Sequence, residues 1–440
     1  MENKDSVEEA IQIVEIFNTL PVEKRVSIFR DLSAEAREGL ISSVARPAEL
    51  MRALSPEEVF FTIKDLGEEN ALGLISATSG SQLLYLLDVD LWKNDMFHTP
   101  SATRWLEIIS SIGQDKMLHL LQTSDPELVV TAMNKFITVK VRNPEVDLLE
   151  QRDTLPPFTL DDVFFLDFMV HESREAIKSF LGVMFEWNTK YYFGVMEELA
   201  MGLNLETEEM AGKWRRSRLA DKGFPEFDEA LEIYQYLLRG QIAESPFSGE
   251  DMREEDDDSA PSIWYPLKVL TEDTLFKRSL KEISDSREND RLSVELAHLA
   301  NKVMVADGRD PGSVEELQGS LKKVGGYINI ALEEFCEDDA TRAAGLLRAN
   351  HVEFLFRRGF SLILDLRKEA QKLLRDYDGG VENVGYPLAG LLKGLLQNRP
   401  YYAGNVMGET KVRNFETMHD LESIRDLLDQ GTLEESWETL

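Results

Sequence analysis

A short basic stretch stands out in an otherwise acidic chain. The 440 residues include 48 Lys and Arg but 81 Asp and Glu, which gives a formal net charge of −33. Guanidinium and ammonium groups bind phosphates and carboxylates through charge-assisted hydrogen bonds. We therefore predict a site for an anion or an acidic partner, made of six clustered residues: Lys213, Trp214, Arg215, Arg216, Arg218 and Lys222. The alternative is internal pairing, in which acidic helices neutralise these cations and an arginine stacks on the tryptophan.

Other chemistry is scarce in the sequence. The six histidines stand far apart and form no HxxxH or HExxH pair, and the chain contains no Walker loop and no GxSxG motif. The one cysteine, Cys336, lies among carboxylates. Neighbouring carboxylates raise the pKa of a thiol, which argues against a nucleophile. We therefore assign no catalytic residue, metal ligand or cofactor, and Mg²⁺ is the one ion that we retain as a candidate. We favour a non-enzymatic protein.

Composition restricts the class of protein. Apolar residues make up 43% of the chain and aromatic residues 9%, which are ordinary values for a globular protein. No apolar run approaches the roughly 18 residues needed to cross a bilayer, and the acidic first ten residues do not resemble a signal peptide. The negative charge disfavours nucleic-acid binding. These features predict a cytoplasmic, soluble protein with protein partners, no nucleic-acid partner and no membrane insertion; its oligomeric state stays open.

A repeated tetrapeptide indicates how the chain is built. GLIS occurs at residues 39–42 and again at 73–76, and the match extends over residues 20–42 and 54–76. A third, looser copy follows 46 residues further on. Each copy predicts two short helices that cannot bury their apolar faces alone, so neighbouring copies must stack. We therefore predict an all-α fold with an N-terminal superhelix, in which Leu40 and Leu74 are equivalent buried residues.

Local signals support these helices. Ser55-Pro56-Glu57-Glu58 has the pattern of a capping box with proline at the first helical position. Gly67 and Gly113 stand where one helix must end and the next begin. The first helix of the third copy has one apolar face with helical spacing, which consists of Trp105, Ile108, Ile109 and Ile112.

Two segments carry a resemblance to known helical repeats. Residues 54–67 read LSPEEVFFTIKDLG and residues 82–88 read QLLYLLD. This pattern of helix starts and leucine pairs resembles the N-terminal superhelical domain of MgtE-type magnesium transporters and the related repeats of the flagellar switch protein FliG. The resemblance implies a helical repeat domain over residues 1–140. The whole chain also resembles an uncharacterised bacterial family of unknown function.

The remainder of the chain divides into three regions. After a proline-containing connector at 138–158, Thr159–Phe165 matches Ser55–Phe61 in pattern, so we predict a second helical region at 159–243 that is a degenerate repeat. Residues 244–262 include a run with net charge −6 and predict an acidic, disordered linker. Residues 263–440 predict a C-terminal helical domain.

Three functions fit these features. The first is a non-catalytic scaffold or adaptor that binds another protein through the surfaces of its stacked helices. The second is a regulator that responds to Mg²⁺, because carboxylates and water suit that ion. The third and least favoured is an enzyme with a pocket in the middle and C-terminal regions.

Overall fold

The chain forms two compact units. The computed structural model describes residues 14–438, except for residues 94, 152, 203, 244–265, 267–269, 271–272, 377–380, 382–387 and 407–408. The first unit comprises Met1–Asp221 with Asp310–Val314, and the second comprises Lys222–Arg309 with Glu315–Leu440. The predicted linker at 244–262 lies outside the described residues. The finer division into domains stays a prediction.

The first unit consists mainly of short helices. In chain order these are α1 (Val22–Asp31), α2 (Ala34–Ile41), α3 (Pro47–Arg52), α4 (Pro56–Leu66), α5 (Leu72–Ala77), α6 (Gly80–Asp90), α7 (Thr99–Ile112), α8 (Gln114–Thr123), α9 (Pro126–Phe136), α10 (Leu148–Gln151), α11 (Arg174–Trp187), α12 (Thr189–Met201) and α13 (Asn204–Ala220). Two antiparallel strand pairs accompany them, β1 (Trp92–Lys93) with β2 (Met96–Phe97) and β3 (Ile137–Val141) with β4 (Phe164–Phe168).

The second unit has longer helices. They are α14 (Phe227–Ala230), α15 (Leu275–Lys281), α16 (Ser286–Ala306), α17 (Val314–Cys336), α18 (Ala340–Ala349), α19 (Val352–Asp376), α20 (Leu388–Leu395) and α21 (Met418–Glu438). Strands β5 (Tyr402–Val406) and β6 (Glu409–Arg413) form a third antiparallel pair, and a short 3₁₀ helix spans Leu231–Tyr234. Helices dominate both units, which confirms the predicted all-α class.

The predicted helix boundaries around α4 and α7 are confirmed. The Ser55 hydroxyl accepts a hydrogen bond from the Glu58 backbone N–H, and the Glu58 carboxylate accepts one from the Ser55 N–H. Gly67 ends α4 with φ 86° and Gly113 ends α7 with φ 131°. Because side chains make this backbone region costly, glycine is the residue that suits both ends.

The two GLIS segments are only partly equivalent. Ile41 and Ile75 are both fully buried, and each lies near the end of a short helix. Leu74 is buried as predicted, but Leu40 is partly exposed, so the predicted equivalence of Leu40 and Leu74 is wrong. In α2 the buried face consists of Ala34, Arg37 and Ile41, and Leu40 lies beside it, whereas α5 buries Leu74 and Ile75 together. The interpretation of the unit as a superhelix stays a prediction.

Residues 159–165 do not start a helix, which corrects the match with Ser55–Phe61. The Asp161 carboxylate accepts hydrogen bonds from the Val163 and Phe164 N–H groups, and the chain then enters β4. This strand pairs with β3, and residues 138–141 of β3 belong to the segment predicted as a connector. Aromatic and β-branched residues fit a pleated surface, and the partner strand decides the outcome. The assignment of 159–243 as a repeat stays a prediction.

Buried polar side chains of the first unit connect one helix to the end of another. Arg37 on α2 donates from Nε to the Phe29 carbonyl at 2.9 Å, and Gln82 on α6 donates to the Leu54 carbonyl at 2.9 Å. Lys116 on α8 donates from Nζ to the Thr78 carbonyl at 2.9 Å and to the Thr78 hydroxyl at 2.8 Å. The last carbonyls of a helix lack partners within the helix, so these contacts satisfy groups that burial would otherwise leave unpaired.

The core of the second unit is formed where α17 crosses α19. Helix α16 buries Leu292, Leu296, Leu299 and Val303 at helical spacing. On α19, Leu355 is buried and Phe354 beside it is 39% exposed. Gly359 of α19 faces the Tyr327 carbonyl so closely that a Cβ atom there would lie 1.9 Å from the carbonyl oxygen. The two backbones therefore meet at a position that only glycine allows.

This close crossing gives a prediction. Gly359→Ala should lower the free energy of unfolding by about 1–3 kcal/mol or more, because the added methyl group overlaps a backbone atom that cannot rotate away. The matched control is Gly345→Ala on α18, where a Cβ atom would meet no atom within 4 Å. That change should stabilise the helix by up to about 1 kcal/mol. Denaturant unfolding measures both, and equal effects would contradict the predicted contact.

A second prediction concerns Lys116. The Nζ atom is buried against oxygen atoms of Ser76 and Thr78, and burial lowers the pKa of Lys116 from 10.5 to about 8. Between these pH values the unfolded chain binds a proton that the folded chain has lost, so stability rises with pH. Relative to Lys116→Met, the wild type should gain about 1–3 kcal/mol of unfolding free energy across that window.

The control for this titration is Lys24→Met, which removes an exposed lysine from α1. Denaturant unfolding of the three proteins at pH 7.5 to 10 separates the Lys116 contribution from groups that all three share. A pH-independent difference between the wild type and Lys116→Met would show that the ammonium group remains hydrated.

Candidate functional site

The predicted basic residues fall into two groups. Lys213, Trp214, Arg215, Arg216 and Arg218 lie on α13 in the first unit, whereas Lys222 belongs to the second unit. In the second unit, the Lys222 carbonyl accepts a hydrogen bond from Asn301 Nδ2 at 2.8 Å. The structure thus brings five of the six residues together on one helix.

Helix α13 turns Arg215 and Arg218 inward. Helix α13 packs against α9 and α6, and Ala211, Arg215 and Leu219 are buried at successive turns. Arg215 Nε donates to the Asp88 carbonyl at 2.7 Å, near the C-terminal end of α6, and Arg215 Nη1 donates to Asp95 Oδ1 at 3.2 Å. Arg215 therefore satisfies a helix end and pairs with a carboxylate.

Arg218 forms the stronger ion pairs. Its Nε and Nη2 atoms donate to the two carboxylate oxygens of Asp88 at 2.7 and 2.8 Å, and Nη1 donates to Asp125. The Asp88 side chain is only 2% exposed. Burial raises the pKa of Asp88, although the hydrogen bonds from Arg218 oppose that shift. Two of the predicted anion-binding residues are thus already bound to carboxylates of the chain itself.

The outward side of α13 is different. Met210, Lys213, Trp214 and Ser217 follow each other at helical spacing and are all exposed; we call them the α13 face. Trp214 is 44% exposed and Met210 is 39% exposed. Arg216 is half-buried beside this face. A large aromatic ring, a methionine and a lysine are therefore available to solvent on one helix.

A second polar cluster, which the sequence did not reveal, lies in the second unit. It consists of five residues that we call the Asp307 cluster: Tyr234, Asp307, Arg309, Lys323 and Arg399. Asp307 accepts hydrogen bonds from the Tyr234 hydroxyl at 2.8 Å and from Lys323 Nζ at 2.8 Å. Arg399 Nη1 lies 2.9 Å from Asp307 Oδ1, and Arg309 Nε lies 3.7 Å from Asp307 Oδ2.

Burial perturbs the groups of this cluster. Lys323 is 4% exposed, and burial lowers its pKa, although Asp307 opposes the shift. Burial also raises the pKa of Tyr234, and Asp307 adds to that effect. The Tyr234 hydroxyl therefore stays protonated, so it donates to Asp307 and accepts from Lys323 Nζ at 2.7 Å.

A weak sequence signal for the Asp307 cluster did exist. Lys323 lies between Ser320 and Tyr327 on α17, with spacings of three and four residues, and both of those residues are fully buried. A lysine in the middle of a helix face that is otherwise buried needs a carboxylate or other acceptor nearby. The partners are separated from it by up to 89 residues, so the sequence could not identify them.

The comparisons with known proteins identify a family. Residues 14–434 match the model of a family described as a family of unknown function (DUF6178). The chain belongs to this family. No curated protein and no solved structure matches the chain. The predicted membership in an uncharacterised family is therefore confirmed.

Within the described ranges, no group of three or more His, Cys, Asp or Glu side chains is placed to hold a metal ion. Among those same residues, every helix is too short or too polar to span a lipid bilayer.

The buried pairing of Asp88 gives a prediction. Arg218→Gln should lower the free energy of unfolding by about 3 kcal/mol, because it leaves the Asp88 carboxylate buried without its cation. Adding Asp88→Asn should recover part of that loss, since a neutral amide costs less to bury than an unpaired charge. Lys213→Gln, on the exposed side of the same helix, serves as the control and should change stability by less than about 0.5 kcal/mol.

Chemical denaturation of the four proteins at pH 7 measures these differences. If Arg218→Gln and Lys213→Gln have equally small effects, Asp88 is hydrated and the buried ion pair is not what holds α13 to α6.

Proposed function

We propose that the protein is a non-catalytic scaffold or adaptor that binds a partner protein through the α13 face. The observation that carries the proposal is the exposure of Trp214 and Met210 on a helix whose opposite side is fixed by buried ion pairs. Trp and Met are enriched in protein interfaces, and tryptophan is one of the residues that most often dominate binding energy.

The rigid attachment of α13 favours this role. Arg215 and Arg218 tie the inward side of the helix to Asp88 and Asp125, so the outward side chains are presented on a fixed backbone. A preorganised surface binds with a smaller loss of conformational entropy than a mobile one. Further exposed apolar side chains, Leu205 and Met201, lie at the N-terminal end of α13 and the end of α12.

The charges near the α13 face indicate the chemistry of the partner. Lys213 is exposed beside Trp214, and Arg216 is half-buried on the same helix. A partner that places apolar side chains against Trp214 and Met210 would meet these cations next to the contact. We infer that the partner supplies an amphipathic helix with acidic residues bordering its apolar face, since such a helix would place its apolar side chains on Trp214 and its carboxylates beside the cations.

The repeat interpretation is part of the same proposal. The resemblance of residues 54–67 and 82–88 to MgtE N-terminal and FliG repeats supports a superhelix with extended binding surfaces. A cytoplasmic location, supported by the single cysteine, belongs to the proposal as well. The Mg²⁺-responsive alternative stays a prediction.

Affinity capture from a native lysate tests the proposal. The wild type should retain a partner in stoichiometric amount, and Trp214→Ala should lose it, because truncating a central aromatic anchor costs about 2 kcal/mol or more of binding energy. Met169→Ala, which changes another exposed apolar side chain of the first unit, is the matched control and should retain the partner.

The captured partner must then satisfy the stated chemistry. Its binding segment, made as a peptide, should bind the full chain in calorimetry, and replacing its acidic residues by amides should weaken binding more at low salt than at high salt. Equal capture by the wild type and Trp214→Ala would refute the proposal, as would a binding segment without acidic residues.

A further inference from the structure

The Asp307 cluster of the second unit has an excess of positive charge. Three cations, Arg309, Lys323 and Arg399, share the single carboxylate of Asp307, which leaves a net charge of +2 (three positive and one negative). Neither Arg309 nor Arg399 has a second carboxylate partner among the residues that the structure describes. The excess is notable in a chain whose overall charge is −33.

The buried part of the cluster is rigid. Tyr234 packs against the ring of Phe360 with a centroid distance of 4.8 Å, and Arg399 lies over the Tyr234 ring at 5.2 Å. Lys323 is held between the Tyr234 hydroxyl and Asp307. These contacts fix the cations close together, although like charges repel more strongly where water is excluded. An anion bound beside them would relieve this repulsion.

The two arginines form the accessible edge of the cluster. Their side chains are 31% exposed for Arg309 and 32% exposed for Arg399, whereas the Lys323 side chain is 5% exposed. Arg399 directs Nη1 to Asp307 and Nη2 to the Ala306 carbonyl, which leaves Nε without a hydrogen bond among the described residues. Arg309 approaches Asp307 through Nε at 3.7 Å, and its two terminal nitrogens have no hydrogen-bond acceptor among the described residues.

Two buried hydroxyl groups on α17 provide an independent observation. The Ser320 Oγ and Tyr327 hydroxyl oxygens are fully buried and have no hydrogen-bond partner among the described residues. They flank Lys323 on the same side of the helix. Buried polar groups are nearly always paired, and one without a protein partner indicates a bound water, ion or ligand.

We propose that the Asp307 cluster binds a phosphate dianion, either inorganic phosphate or the phosphoryl group of a small phosphate monoester, with Arg309 and Arg399 as its direct ligands. The guanidinium fork matches the oxygen geometry of phosphate, and the charge of about −2 on the ligand balances the cluster. A monocarboxylate would neutralise only half of that charge. Lys323 and Tyr234 position the arginines by holding Asp307.

Calorimetry on the full chain with inorganic phosphate and with glycerol phosphate tests the proposal. Both ligands should bind saturably and raise the melting temperature, since they bind the folded state. Arg309→Gln should weaken binding about tenfold or more, because it removes a guanidinium ligand, while Lys323 and Arg399 still pair with Asp307. Arg425→Gln is the matched control, because that arginine pairs with Glu369 on the exposed surface and should leave phosphate binding unchanged.

A second variant and a comparison of the two ligands complete the experiment. If Arg309→Gln proves unstable, Arg309→Lys keeps the charge but loses the fork, and it should bind phosphate more weakly than the wild type does. A preference for glycerol phosphate over inorganic phosphate would indicate that the natural ligand is an ester, and the reverse would indicate the free ion.

Several outcomes would overturn the proposal. They are the absence of saturable binding, unchanged affinity in Arg309→Gln, and an equal thermal shift from sodium chloride at the same ionic strength. The result is independent of the partner proposed for α13, because Trp214→Ala should bind phosphate as the wild type does.

Discussion

The first unit depends on how short helices satisfy their own ends. A helix of six to eleven residues, such as α4 or α5, leaves several of its backbone groups without partners inside the helix. In this unit, side chains from other helices reach those groups. The Glu38 carboxylate accepts hydrogen bonds from the Gly73 and Leu74 N–H groups at the start of α5, and Lys116 binds the carbonyls at its end. A helix of six residues is thereby held at both ends by its neighbours.

Residues within one helix were enough to predict where the helices begin and end. The segments that differ from the prediction depend on partners far away in the sequence. The Ser55 capping box and the glycines at 67 and 113 act within a few residues, so the sequence predicted their effect correctly. The segment at 164–168 carries an equally clear apolar pattern, but its conformation is decided by pairing with residues 137–141. A pattern of one segment cannot contain that information, because β propensity depends on the neighbouring strand.

The same distinction applies to the candidate sites. The sequence located the cations on α13, but whether each one faces inward depends on Asp88, which lies 130 residues away from Arg218. The sequence did contain one signal for this pairing. Two aspartates lie at the end of the apolar run at 82–90, and a carboxylate that is buried with such a run requires a cation nearby. The Asp307 cluster combines residues from 234 to 399, and no local motif links them.

The two polar clusters contain similar groups but have opposite charge balance. On the inward side of α13, two arginines meet the carboxylates of Asp88, Asp95 and Asp125, so negative charge exceeds positive by one and these two arginines have no charge left for an external anion. In the Asp307 cluster, three cations meet one carboxylate. Opposite charges stabilise a buried group and like charges destabilise it. In the first arrangement, carboxylates of the chain itself therefore neutralise both arginines. The second gains stability from an added anion, and this difference in balance separates a structural ion pair from a binding site.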